Sequence, residues 1–471
     1  MPMDTATMTG AAASSAAAQI TARLDRLPAT KTIWSMVLLI SLGGVFEVYD
    51  LLFTGYIAPG LFRSGIFTAT TVSFFGMTGL ASFVASLFAG LFVGTIAFAY
   101  VADRFGRRAI FTYSLIWYSI ATLALAFQNT PNMVNLWRFI GGVGIGVELV
   151  TIDAYISELV PKAMRGKAFA VSQGTCFFVV PLVALLAWLL VPLEPLGLAG
   201  WRWVVLIGSV GALCIWTVRR RLPESPRWLA QQGRIEEAER VMSAIEARAS
   251  ADIGRPLPPP GTPVIGDDRV GSYREIFSQR YRTRTIMLIV ANFFSTIGFY
   301  GFVNWVPTLL LAKGINVTKS LEYTFIIALA WPVFPFISTL FADRMERKWQ
   351  VVGSSIGIAV CGMLFAFQSA PVAIIIVGVV QTMLNTWISF SFHNYQAELF
   401  PTRMRARAVG FVYSWSRFST IFSGFFIAFF LRNFGQMGVF AFIAAAMLIV
   451  AVAVAIFGPR TNQLALEEIS R

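Results

Sequence analysis

"YISELVPKAMRGKA" (155–168) returns as "YQAELFPTRMRARA" (395–408), an offset of 240 residues. At the same offset "YVADRFGRRA" (100–109) returns as "LFADRMERKW" (340–349), with Ala102-Asp103-Arg104 matched by Ala342-Asp343-Arg344. One offset holding over two separate stretches points to an internal repeat and two structurally related halves.

The segments around these basic stretches are apolar and long. The chain of 471 residues is 56% hydrophobic and only 13% charged, about half the charged share of a soluble protein. A single soluble core also rarely grows to this size. Crossing a bilayer as a helix takes about 20 apolar residues. The pattern predicts twelve spans, at 33–60, 73–101, 109–127, 132–157, 167–191, 202–219, 284–311, 321–342, 350–368, 372–397, 405–431 and 436–458. The fold class expected is all-α membrane protein, with twelve transmembrane helices in two pseudo-symmetric six-helix bundles. The parts are a polar N-terminal tail (1–31), a first bundle (32–219), a linker with short helices (220–283), a second bundle (284–459) and a C-terminal tail (460–471). Within the linker, "PESPRWLAQQGRIEEAERVMSAIEARA" has helical periodicity with charges on one side, and "GRPLPPPGTPVIGDD" breaks it.

Formal net charge is +13, but nucleic acid is not the expected partner. The basic residues cluster in alternate loops: Arg104, Arg107 and Arg108; Lys162, Arg165 and Lys167; Arg344, Arg347 and Lys348; Arg403, Arg405 and Arg407. The positive-inside rule then puts these loops and both termini in the cytoplasm, with the chain multi-pass in the cell's inner (plasma) membrane. The first 30 residues contain no apolar core of a cleaved signal peptide. Cys176, Cys214 and Cys361 fall in apolar spans, so no disulfide framework or metal-ligand spacing is expected. No nucleophile–base pair or phosphate loop stands out, and an enzyme is not expected.

"ADRFGRR", the "PESPRWL" after span 6, and "ELVPKAMRGKA" with its copy "ELFPTRMRARA" together resemble the major facilitator superfamily, closest to its sugar-porter-like branch. That branch also holds symporters of organic ions and metabolites with protons, and the resemblance covers nearly the whole chain. It departs at Ala99 and at Glu346, where the loop motif usually has glycine, and in span 7, which lacks the sugar porters' glutamine pair. Span 7 reads "ANFFSTIGFYGFVNWVPTLLLAKG" and looks more like aromatic-acid and metabolite symporters.

Charged residues inside the spans are the functional candidates, because leaving one unpaired in lipid is costly. The resemblance implies that Asp50, in "GGVFEVYD", faces Arg138, which opens "RFIGGVGIG". A buried arginine is less costly beside a carboxylate, and protonating Asp50 would free Arg138, a two-state switch. A permanent structural ion pair is the competing reading. Glu47, Glu148 and Asp153 are extra carboxylates, either lining an aqueous cavity or forming a second proton site; for Asp153 a place at the cytoplasmic interface is a further alternative. The family role of Asp103, Arg104, Arg107 and Arg108, with Glu158, Arg165, Asp343, Arg344, Glu398 and Arg405, is gating at the cytoplasmic ends.

For substrate, Arg417 is expected to hold a carboxylate, since a guanidinium offers a planar two-pronged fit; an interhelical pair with Glu47 is the alternative. Gln173 matches a substrate-bonding glutamine of the family, and His393 takes the place of a substrate-facing tryptophan. Asn304, Trp305, Asn385, Asn394, Tyr395, Tyr413 and Trp415 could complete an aromatic pocket. The expected function is proton-coupled import of a small organic anion by a monomer, with the proton as coupling ion and no cofactor. A sugar or polyol symporter, a proton-driven exporter and a transport-dead sensor stand as alternatives.

Overall fold

The computed structural model describes residues 5–68, 71–73, 79–219, 222–262, 273–334, 337, 345–400 and 402–461; side chains are described for these except 5–14, 97–104, 149–150, 153–154, 215–219, 273, 402–403 and 405–406. Eighteen helices are used below. The first half of the chain has α1 (Thr5–Asp25), α2 (Lys31–Tyr56), α3 (Ala58–Arg63), α4 (Gly79–Phe105), α5 (Arg107–Ala126), α6 (Pro131–Leu159), α7 (Arg165–Phe177), α8 (Val179–Leu190) and α9 (Gly200–Arg219). The linker has α10 (Pro226–Gln231), α11 (Ile235–Ile253) and α12 (Tyr273–Ile276). The second half has α13 (Arg282–Val303), α14 (Val306–Ala312), α15 (Val317–Ala328), α16 (Arg347–Phe367), α17 (Pro371–Glu398) and α18 (Thr402–Phe457).

Among the described residues, eight helical stretches are long and apolar enough to cross a membrane. One of them, Arg407–Phe457, runs through a break at Gly435, at φ +63°, and covers the two spans expected at 405–431 and 436–458. The span expected at 132–157 is helical as α6, which carries Arg138, Glu148, Asp153 and Glu158 in its 29 residues. That expected at 202–219 has a shorter apolar stretch, Gly200–Cys214. Local chemistry sets the ends. Thr30 and Thr130 accept from Ile33 N and Met133 N at the starts of α2 and α6, and Pro131 opens α6 where no amide donor is needed.

The internal repeat reappears as repeated contacts. Arg107 pairs with Glu158 at 3.1 Å, and Arg347 pairs with Glu398, both partners shifted by 240. The Tyr155 hydroxyl donates to Pro223 O, and that of Tyr395 donates to Pro459 O. Where the first copy turns through Gly106 at φ +95°, the second has Glu346 at φ −55°, so the turn is made without a left-handed residue.

Within the first half, α4 and α6 touch backbone to backbone. A methyl at Gly90 or Gly94 would land on the carbonyls of Phe139 or Val143, and one at Gly142 or Gly146 on those of Leu87 or Leu91. The glycine run of α6 is thus the close-packing face that small residues provide between membrane helices.

The two halves meet away from the linker. Gly55 of α2 lies against the Asn304 carbonyl and Val84 of α4 against Gly424 of α18. Trp188 stacks on Phe325 at 5.7 Å, and Phe92 meets Phe418 at 6.1 Å. Among the described residues no ion pair joins the halves; those near the linker face stay within one half or tie it to the linker.

The N-terminal segment expected as a polar tail is instead helical, because Ile20, Leu24 and Leu27 recur at helical spacing and are buried. They join a small core with Trp228, Met242 and Ile245 of the linker helices. Around it Arg23 bonds Glu239 and Glu246, Arg26 bonds Glu246 at 2.7 Å, and Asp25 bonds Arg227 at 3.0 Å. Burial pushes the Glu246 carboxyl up, but the bonds and charges of Arg23 and Arg26 outweigh it and leave it below its ordinary value.

Two outcomes are expected. Gly142→Val should lower stability by about 2 kcal/mol or more, read as a melting shift in detergent, whereas Gly166→Ala, facing open space, should not. A depressed carboxyl contributes stability that is present above its unfolded value and lost as pH falls through the folded one. The contact of α1 with α11 should therefore loosen only below pH 4.5, the ordinary glutamate value, with faster hydrogen exchange in α11 after correction for intrinsic rates. Glu246→Gln should show that loosening at pH 7.

Candidate functional site

Two charged centres lie in the membrane-spanning region. In the first, Arg138 of α6 donates from Nη1 to Asp50 Oδ2 at 2.8 Å and from Nη2 to the Asp50 carbonyl at 2.5 Å and to the Thr54 hydroxyl. Thr122 of α5 donates to Asp50 Oδ1 at 3.1 Å. The guanidinium lies 4.3 Å from the ring centre of Phe53 and 5.5 Å from that of Phe83. Side-chain exposure is 0% for Arg138 and 5% for Asp50, so this ion pair is shielded from water, where charge–charge attraction is strong and an unpaired charge costly. Glycine contacts between α4 and α6 hold Arg138 at this depth, and Tyr49, donating to Val204 O at 2.6 Å, ties α2 to α9.

The second centre is Arg417 of α18, also buried. Its Nη1 donates to the Tyr300 hydroxyl at 3.1 Å and its Nη2 to that of Tyr413 at 2.9 Å. No described carboxylate forms an ion pair with it; Glu47 of α2, itself buried, lies across the seam within electrostatic reach. His393 sits beside it, 5.2 Å from the Tyr413 ring. Its Nδ1 must donate to the Ser389 carbonyl at 2.7 Å, which leaves Nε2 as an acceptor in the neutral ring. His393 and Asn394 are exposed on a helix whose neighbouring positions 391, 392, 395 and 396 are buried.

Aromatic rings bridge the halves at this centre. Phe88 meets Tyr300 at 4.8 Å, and Phe177 meets Trp331 at 5.2 Å. Phe299 completes the row by touching both Tyr300 and Trp331. Gln173 is exposed one turn before Phe177 and so shares its face.

The other candidates are spread out. Asn304 and Trp305 are buried at the contact between the halves, and neither amide atom of Asn304 has a hydrogen-bond partner. Asn385 is buried and donates to Gln381 O, and Trp415 packs on Phe418 at 5.8 Å. Glu148 is fully buried on α6, ten residues from Arg138. The side chains of Asp103, Arg104, Asp153 and Arg405, and all of Asp343 and Arg344, lie outside the described residues. Of the gating set, Arg107 holds Glu158 and Arg347 holds Glu398. Arg165 bonds Val160 O at 3.3 Å, and the Arg108 amide donates to Glu224. Glu224 also accepts from the Arg107 amide and so caps α5; burial raises its carboxyl above the ordinary range despite these bonds.

Sequence reasoning missed Thr54, Thr122, Phe88, Tyr300 and Asp25. Only Glu224 was signalled, by its place in "PESPR". Nothing local marks Tyr300 among 12 tyrosines.

Arg138→Met alone should cost about 3–5 kcal/mol by stranding a carboxylate. The double variant Asp50→Leu/Arg138→Met should regain most of that, in a double-mutant cycle of detergent melting.

Residues 36–471 match the family model for sugar (and other) transporters. The inner membrane metabolite transport protein YdjE of Escherichia coli (strain K12) is 30% identical over 96% of this chain and 98% of its own. The niacin transporter NiaP of Acinetobacter baylyi is 27% identical over 96% and 99%. In three dimensions the chain resembles the xylose transporter XylE from E. coli in a partially occluded inward-open conformation, with a TM-score of 0.73 at 19% identity, over 93% of this chain and 100% of that one. With that fold and a family match covering nearly its whole length, the chain belongs to the sugar (and other) transporter family of the major facilitator superfamily, and is a membrane transporter, not an enzyme.

Proposed function

We propose that this protein imports a small organic anion together with protons, and that the linker face is cytoplasmic. The observation that carries the substrate class is Arg417: a buried guanidinium at the seam, held by two phenols and by no described carboxylate. Each phenol oxygen accepts from Arg417, and the Tyr300 hydroxyl keeps its own proton to donate. Arginine and phenols thus form a ready cradle for a carboxylate, and the row of aromatic rings suits a flat apolar body. A relative's named substrate, niacin, is a ring bearing one carboxylate.

Asp50 is the proton acceptor in this scheme. Charged, it neutralises Arg138 across the 2.8 Å contact. Protonated, it leaves Arg138 with the Thr54 hydroxyl and the Asp50 carbonyl but no countercharge. Both neighbours of the pair reach the other half: Gly55 abuts Asn304, and Val84, next to Phe83, abuts Gly424. A shift of Arg138 is therefore felt where the halves must part. The close contacts between the halves on the side away from the linker fit an inward-facing state with its proton released. Symport of one proton with one monoanion moves no net charge and uses only the pH gradient. A second proton, on Glu47 for example, would add about 2.3 kcal/mol per 100 mV.

A sugar or polyol symporter is the competing reading, favoured by Gln173 at the seam and by solved neighbours titled proton:xylose symporters. Proteoliposome uptake separates the two. Under the anion reading Arg417→Gln should weaken carboxylate uptake by about 10- to 150-fold, the worth of a charge-assisted bond. Unchanged uptake of a sugar by that variant would decide for the competing reading. Asp50→Asn should keep exchange of substrate across the membrane while losing accumulation driven by a pH gradient.

A further inference from the structure

A cleft of about 320 Å³ lies between α2, the start of α5 and α11, well away from the seam between the halves. Three guanidinium-bearing residues line it, Arg108, Arg240 and Arg248, and no acidic residue does. Its floor is apolar, with Met36, Leu222, Val241 and Ile245. The transport cycle proposed above uses none of these residues except Arg108.

The faces of α11 divide the charge. Glu239 and Glu246 turn to Arg23 and Arg26 of the N-terminal segment. Arg240 and Arg248, two turns apart, lie on the cleft side with Val241 and Ala244 between them. Both arginines are exposed, and among the described residues neither makes a hydrogen bond or ion pair. Asp252 lies one turn further on, but its carboxylate accepts from the Thr32 amide at 2.7 Å, at the start of α2. The linker is therefore amphoteric: Glu239 and Glu246 are engaged inside the protein, and the arginines of the other face are left over.

The cleft also sits at the membrane boundary. Thr32 and Met36 belong to the first two turns of α2, and Leu38 just beyond is 46% exposed. Arg108 is the second residue of α5, and Tyr113, under two turns further along that helix, is 69% exposed, as a ring of an interfacial belt is. Guanidinium groups clasp phosphate oxygens in pairs, and basic pockets beside membrane helices hold anionic headgroups.

We infer that this cleft binds the phosphate of an anionic phospholipid from the adjoining leaflet, with Arg240 and Arg248 on the phosphate and the apolar floor under the glycerol and first chain carbons. The lipid then bridges the linker helix α11 to α2 and α5. The site needs only the membrane fold, so it stands or falls apart from the substrate reading, and an Arg417→Gln protein should bind lipid as the unaltered chain does.

The test is native mass spectrometry of the purified full-length protein titrated with phosphatidylglycerol, phosphatidylcholine or glycerol 3-phosphate. Phosphatidylglycerol should be retained and phosphatidylcholine should not. Arg240→Gln/Arg248→Gln should bind phosphatidylglycerol about thirty-fold more weakly, with an unchanged melting temperature in lipid-free detergent. Arg255→Gln, exposed on the same segment outside the cleft, should bind as the unaltered chain. Equal binding of the two lipids, or equal binding by the double variant, would overturn the inference. So would glycerol 3-phosphate binding as tightly as the lipid, since the occupant would then be a soluble phosphate ester.

Discussion

The buried Arg138 guanidinium is the constraint around which the first half is arranged. A charge with 0% side-chain exposure is tolerable only beside a countercharge and acceptors. Asp50, its own carbonyl and Thr54 supply them from α2, and Thr122 steadies the second carboxylate oxygen from α5. Three helices are thereby tied at one depth. The tie also requires that α6 approach closely, which the interlocked glycines of α4 and α6 allow. Because Thr54 and Phe83 contact the guanidinium and their chain neighbours Gly55 and Val84 touch the second half, the electrostatics of the pair and the packing of the seam are one problem.

Polar contacts and apolar contacts are divided by location. Within each half, ion pairs such as Arg107–Glu158 and Arg347–Glu398 brace the helix ends. Between halves the described contacts are ring on ring or backbone on small residue. Aromatic pairs contribute about 0.5–1.5 kcal/mol each beyond their burial, and unlike ion pairs they leave no stranded charge when they part. A seam built largely this way suits two rigid bodies rocking on one another. Most of the linker is fastened to the first half, since α1, α10 and α11 share a core and salt links with it.

Much of this was legible in the chain because it is encoded by periodicity or by local pattern. Long apolar blocks imply membrane helices; a repeated offset of 240 implies paired bundles; loop arginines imply a sidedness. Asp50 and Arg138 were read together through family resemblance, and the structure places them 2.8 Å apart. Thr54 and Thr122 were not foreseen, since a hydroxyl in an apolar span usually bonds its own helix, as Thr151 does to Val147 O. The helical character of residues 5–25 was also missed: its apolar stripe is short and gains meaning only from the partner surface on α10 and α11.

The amino-acid sequence by itself determined the membrane class, the twofold architecture and the identity of the charged residues that lipid would exclude, because hydropathy and spacing act along the chain. Only the tertiary structure decided which of those charges meet. Arg138 found a carboxylate, whereas Arg417 found two hydroxyls, and no rule of spacing distinguishes them. That difference comes from helices far apart in sequence, whose relative rotation and depth are set by glycine contacts and ring packing rather than by any residue near either arginine.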